Sequence, residues 1–246
     1  MNEIIQVEKL DVGYGDQVIL KQLNFVINEG DITVILGKSG CGKTTILKTL
    51  IGLLPPLSGQ VTFFGEKIDF FSEASLQMLY KKIGVLYQNS ALLNSLTLYE
   101  NVALPIKMQY PELQVEIERE MVVSRLSQVG LADSMDKYPS ELSGGMRKRG
   151  ALARSMILDP DVIFCDEPSS GLDPITAAGL DDLMRNLRDH FGITFVVVTH
   201  ELRSIEKISD KAMVLENGGL HYFGEYKNMI NLKDPFIDDF FMKDKK

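Results

Sequence analysis

The chain has 246 residues, with 26 basic and 34 acidic side chains and a formal net charge of −8. Apolar residues make up 45% and charged ones 24%, enough to bury a core and inconsistent with a disordered chain. The pI near 5.0 gives no global basic surface for nucleic acid, and two cysteines, Cys41 and Cys165, cannot build a disulfide framework.

The amino-terminal MNEIIQVEKL lacks signal-peptide anatomy, which points to a reducing, cytoplasmic setting. Ile4–Leu10 and Val18–Ile27 read as strands around the turn-rich VGYGDQ. Ile32–Leu36 is a β-branched run of the kind buried on both faces of a sheet. A glycine loop follows, then a predicted helix from Lys43 to about Leu53. The richest apolar run, Ile46–Leu57, is broken by Lys48, Thr49 and Pro55-Pro56, short of the roughly 20 residues a membrane helix needs. Gly59–Phe71 reads as edge strand and hairpin.

From about Asn89 to Asp159 the pattern is helical. Leu113, Ile117, Met121, Val122, Leu126 and Val129 form an apolar stripe closed by Gly130, assigned to core packing. Beyond Asp159-Pro160, strands are predicted at Val162–Cys165, Ile193–Thr199 and Lys211–Glu216. Helices are predicted at Pro174–His190 and Glu201–Ile208, and a turn at Asn217-Gly218-Gly219. This alternation implies a mostly parallel sheet covered by helices on both faces, interrupted by the helical insert.

Gly37-Lys38-Ser39-Gly40-Cys41-Gly42-Lys43-Thr44 has the spacing of a phosphate loop. Glycines let the backbone turn its amides toward phosphate oxygens, and the helix opening at Lys43 adds its positive end. Lys43 supplies a point charge and Thr44 a hydroxyl for Mg²⁺. Gly37, Ser39, Gly40, Cys41, Gly42, Lys43, Thr44 and Thr45 are the candidate nucleotide contacts. Val162–Cys165 runs into Asp166-Glu167, at the strand end where α/β proteins bind ligands. Asp166 is the candidate metal residue and Glu167 the candidate general base.

Leu142-Ser143-Gly144-Gly145-Met146-Arg147-Lys148-Arg149 resembles the signature motif of ABC-type ATPases, usually LSGGQ followed by a basic helix. Other markers follow in the family's order over nearly the whole chain. Tyr14 resembles the adenine-stacking aromatic and Gln88 the Q-loop glutamine. Ser170-Gly171-Leu172-Asp173 resembles the D-loop, and His200 the switch histidine. The resemblance implies an α/β fold: a P-loop NTPase (RecA-like) core with an antiparallel β subdomain and an inserted α-helical subdomain. It places the core in 1–88 and 160–231, the helical lobe in 89–159 and a tail in 232–246.

The resemblance also implies ATP hydrolysis with Mg²⁺. Lys43 stabilises phosphate charge, Thr44 and Gln88 bind the metal, and Asp166 orients it through water. Glu167 activates the attacking water and His200 senses the γ-phosphate. Ser143, Gly144 and Gly145 open a second helix end, another anion site. Two anion sites on different lobes imply a head-to-tail homodimer around two ATP, with Ser143 and Gly145 acting in trans.

Met146 departs from the usual glutamine, and Gly150 sits inside a helix at a cost of about 1 kcal/mol. The Met146–Arg149 wording, with Asp173–Thr176, is similar to the Mla/MCE-associated branch. That branch implies phospholipid traffic across the bacterial envelope, an integral-membrane permease and accessory envelope lipid-transport proteins. It also implies a peripheral place on the cytoplasmic face of the inner membrane. A small-solute ABC importer and a non-transport ABC ATPase are the alternatives. Arg147-Lys148-Arg149 is read as a solvated helix face with local salt bridges, and no nucleic-acid partner is expected. Leu92, Leu93 and Leu96, beside the Q-loop, are expected to seat a permease helix. Asp234–Phe241 carries four large apolar residues, expected either to fold back or to cross to a second subunit.

Overall fold

The alternating residues of the first segment form two long antiparallel strands, β1 (Glu3–Tyr14) and β2 (Gln17–Asn28). The computed structural model describes residues 2–242. The glycine loop lies between β3 (Ile32–Leu36) and α1 (Lys43–Leu50), which stops short of Leu53 as the chain turns at Ile51-Gly52. β4 (Ser58–Phe63) and β5 (Glu66–Lys67) complete an antiparallel sheet of order β2-β1-β4-β5. α2 (Glu73–Lys82) and β6 (Ile83–Leu86) come next, and no sequence pattern announces them. α2 depends on a Ser72 cap, and β6 is only the short run IGVL.

The insert begins with turns and irregular chain over 89–97, then holds α3 (Leu98–Gln109), α4 (Val115–Gln128) and α5 (Gly144–Met156). Thr97 and Glu100 form a reciprocal capping box on α3. Val122, Leu126 and Val129 are buried as expected, but Ile117 is exposed and Glu118 takes the inward position. The carboxylate of Glu118 accepts from the Tyr99 hydroxyl at 3.0 Å and faces Lys107 at 3.6 Å, which compensates its burial. α4 begins after Leu113, so the stripe is shorter than its spacing suggests.

β7 (Val162–Asp166), α6 (Pro174–Phe191), β8 (Thr194–Val198), α7 (Leu202–Ile208), β9 (Lys211–Glu216) and β10 (Gly219–Glu225) complete the core. The central sheet has the order β10-β9-β3-β8-β7-β6 and is parallel except for the β9–β10 hairpin. Period-two alternation divides its side chains. Ile35, Phe164, Val196 and Met213 join the cluster with α1 and the antiparallel sheet; Leu36, Ile163, Phe195 and Val197 join the cluster with α5, α6 and α7.

A third cluster, including Val102, Ile106, Val122 and Leu126, fills the helical lobe. α5 serves both sides, giving Leu152 and Met156 to the sheet and Ala153 to the lobe. Gly150 has a packing reason: a Cβ there would lie 2.6 Å from Leu98 Cδ1, so glycine lets α5 approach α3.

After α8 (Tyr226–Met229), the tail folds back as α9 (Pro235–Met242). Asp234 caps α9 by accepting from the amides of Phe236 and Ile237, Ile237 is buried, and the Phe241 ring lies 6.4 Å from Tyr226. The last four residues of the predicted tail, 243–246, lie outside the described residues. Truncation after Asn231 is expected to lower the melting temperature by roughly 5–10 °C with association unchanged, because it uncovers this apolar face. A weakened dimer with unchanged melting would instead place α9 at a subunit interface.

Candidate active site

The phosphate loop is fixed by glycine at its hinge. Gly42 caps α1 at a φ of 107°, and a Cβ there would lie 2.8 Å from Leu20 Cγ. Lys43 Nζ donates to the carbonyls of Gly37 at 2.7 Å and Lys38 at 3.2 Å, holding its charge over the loop. β7 and β8 are adjacent and parallel, so their carboxyl ends deliver Asp166, Glu167 and His200 to the same side. A cavity of about 520 Å³ is lined by Gly37, Ser39, Gly40, Gly42, Lys43, Thr44, Thr45, Gln88, Asp166, Glu167 and His200, with Ile19 and Val198.

Glu167 is the best-defined group in this cavity. Its Oε1 pairs with His200 Nδ1 at 2.7 Å, while Oε2, also out of solvent, has no hydrogen-bond partner among the described residues. Its backbone is left-handed, with a φ of 47°, at a cost of roughly 1–2 kcal/mol. The Glu167 amide donates to the Val198 carbonyl at 2.8 Å. The hydrogen bond to Glu167 raises the pKa of His200 above the usual histidine value. Burial raises that of Asp166, reinforced by the Glu167 charge and opposed by Lys43. Thr44, Gln88 and Asp166 offer hydroxyl, amide and carboxylate oxygens. Such a sparse, hard donor set suits Mg²⁺, which is commonly held by one or two protein groups with substrate phosphates and water.

Other predicted residues lie elsewhere. Tyr14 ends β1, is 48% exposed and is not part of the cavity lining. Cys41 is half-buried within the loop, and Cys165 is fully buried, which pushes its thiol pKa up. Ser143 caps α5, accepting from the Met146 amide at 3.2 Å. Gly144 and Gly145 follow at the start of α5, where Gly145 faces the Thr176 side chain of α6. Asp173 caps α6, accepting from the amides of Ile175 and Thr176, both at 3.1 Å. None of Ser143, Gly144, Gly145 or Asp173 lines the cavity.

Residues 20–170 match the ABC transporter family. The chain belongs to that family. "Intermembrane phospholipid transport system ATP-binding protein MlaF" of Haemophilus influenzae is 37% identical over 98% of this ABC chain and 91% of its own. "Probable ribonucleotide transport ATP-binding protein mkl" of Mycobacterium tuberculosis is 37% identical over 98% of this chain and 67% of its own. Among solved structures, cbiO1 of Clostridium perfringens superposes with a TM-score of 0.87 at 30% identity, covering 95% of this chain and 92% of that one. The cassette MJ0796, a post-hydrolysis dimer bound to ADP and Pi, gives 0.80 at 28% identity, covering 90% and 98%. The protein is an ATP-binding subunit of an ABC transporter, with the α/β fold of an ABC-type ATPase. Among the described residues no helix is long and apolar enough to cross a membrane.

The basic run after the ABC signature is only in part the solvated face expected from its charge: Arg147 is exposed, Arg149 half-buried and Lys148 buried. Arg147 donates to the Leu142 carbonyl at 2.7 Å and Arg149 to that of Val129 at 3.3 Å. Lys148 is only 5% exposed; its Nζ donates to the carbonyl of Glu167 at 3.2 Å and also to that of Gln88. Desolvation lowers its pKa. Gly145, Lys148, Leu152 and Met156 share the buried face of α5, so helical spacing was the available signal and charge overrode it. Arg154 carried no such signal. It donates to the carbonyls of Ala91 at 2.6 Å and Ser90 at 2.9 Å, clamping a turn in which both residues have positive φ.

Proposed function

We propose that two copies of this ATPase close around two ATP molecules and drive a separate integral-membrane permease in phospholipid traffic across the bacterial envelope. The observation that carries the chemistry is Glu167, which lines the cavity that holds Lys43 and pairs through Oε1 with His200 of the same lining. Lys43, Ser39, Thr45 and the loop amides from Gly37 to Gly42 bind phosphate oxygens, and Tyr14 offers an exposed ring to adenine. Thr44, Gln88 and Asp166 would hold Mg²⁺, which neutralises phosphate charge when bound.

The Glu167 carboxylate takes a proton from water attacking the γ-phosphorus in line. The bond to the bridging oxygen breaks, leaving ADP and inorganic phosphate. His200 keeps Oε1 in place during that transfer. Ser143, Gly144, Gly145 and Asp173 stand apart from their own phosphate loop, which favours a role on the partner's ATP in a head-to-tail pair.

The lipid assignment draws support from the MlaF likeness, which spans nearly the full length of both chains. A permease and accessory envelope lipid-transport proteins follow as partners, with this subunit peripheral on the cytoplasmic face of the inner membrane. Leu93 is 46% exposed, and its backbone is anchored by Asn101, making it a suitable permease contact. Purification with native partners is expected to bring a permease and phospholipid. Leu93→Asp is expected to lose the permease while ATP binding stays within about twofold. A permease that arrives with a small-solute binding protein and no lipid would overturn the cargo assignment.

A further inference from the structure

We propose that Lys148 is a positioning residue that holds Gln88 and Glu167 by their backbone carbonyls and ties both to the helix carrying Ser143. The proposal rests on the ATPase reading given above. A lysine is rarely buried this fully without compensation. Here the compensation is specific: Nζ donates to the Glu167 carbonyl at 3.2 Å and to the Gln88 carbonyl. The cation thus bridges the ends of β6 and β7, the two strands that deliver the candidate metal and water-activating residues.

Glu167 is held at both sides of its left-handed backbone, by Val198 at its amide and by Lys148 at its carbonyl. The carboxylate direction therefore depends on where Nζ sits. Lys148 is five residues along from Ser143, about 7.5 Å at 1.5 Å per residue. Both belong to the same rigid unit, because α5 begins at Ser143 as its cap. A partner's phosphate bound at Ser143 and a shift in Glu167 are thus mechanically connected through α5. Volume filling alone does not explain a lysine here, because methionine fills similar space without donating hydrogen bonds.

The test compares full-length wild type with Lys148→Met and Lys148→Arg, measuring phosphate release and ATP binding. Lys148→Met is expected to lower kcat roughly 10–100-fold with the ATP Kd within about threefold. Lys148→Arg, which keeps cationic donors, is expected to recover most of that loss. If methionine yields no folded protein, Lys148→Gln replaces it and is expected to fall between the two. Combining Lys148→Met with Ser143→Ala is expected to cost well short of the product of the single losses, as linked residues do. Full-rate Lys148→Met, an arginine variant no better than methionine, or a fully multiplicative double variant would each overturn the proposal. Wild type that releases no phosphate would overturn the ATPase reading instead.

Discussion

Glu167→Gln is expected to reduce phosphate release about a thousandfold while ATP binding stays within about twofold, the scale of a lost general base. The substitution keeps the shape of the side chain, and an amide oxygen can still accept from His200 across the 2.7 Å contact. What disappears is the carboxylate charge that accepts the proton, since an amide is too weak a base for that transfer. Binding depends on the phosphate loop, so it survives. The bound ATP, no longer cleaved, is expected to hold two subunits together, read as an ATP-dependent doubling of mass in sedimentation. Rapid turnover by this variant would remove Glu167 from the role of base and leave Asp166 as the remaining carboxylate in the cavity.

Phe164→Ala is expected to destabilise the fold by about 3–5 kcal/mol, in the range for a fully buried aromatic. Phe164 is wholly buried on β7, and its ring lies 6.4 Å from Phe63 of the antiparallel sheet. It therefore packs where the two sheets meet. Deleting it leaves a cavity that neighbouring β-branched side chains cannot fill without leaving their rotamers. For a chain of this size the melting temperature should fall by roughly 10 °C. Melting within a degree or two of wild type would mean that the two sheets repack freely. Since Phe164 stands two positions before Asp166 on the same strand, a loss of phosphate release in folded variant protein would reveal how far the site depends on that packing.

Much of the molecule was legible in the sequence because its decisive interactions are local. The glycine loop and the caps at Ser143 and Asp173 each depend on residues within one turn. Alternation also identified the parallel core, since strands buried on both faces leave an apolar record. α2, β6 and β10 left weaker records. β6 is short, and β10 is a partly exposed hairpin partner whose Asn217-Gly218 turn was the only cue.

The phosphate loop could be read from a few neighbouring residues, because a backbone turned toward phosphate demands glycine at those positions, whereas the order of the remaining markers was legible through the family resemblance. Tertiary structure decided which charges are buried and what they hold. His200 reaches Glu167 across 33 residues, Lys148 reaches Gln88 across 60, and neither pairing follows from local spacing. The tail's course was settled in the same way. Its phenylalanines demanded cover, but the apolar face beside Tyr226 exists only once distant parts of the chain have packed. Burial is a property of that whole packing, so a lysine written like a surface residue became the link between two strand ends.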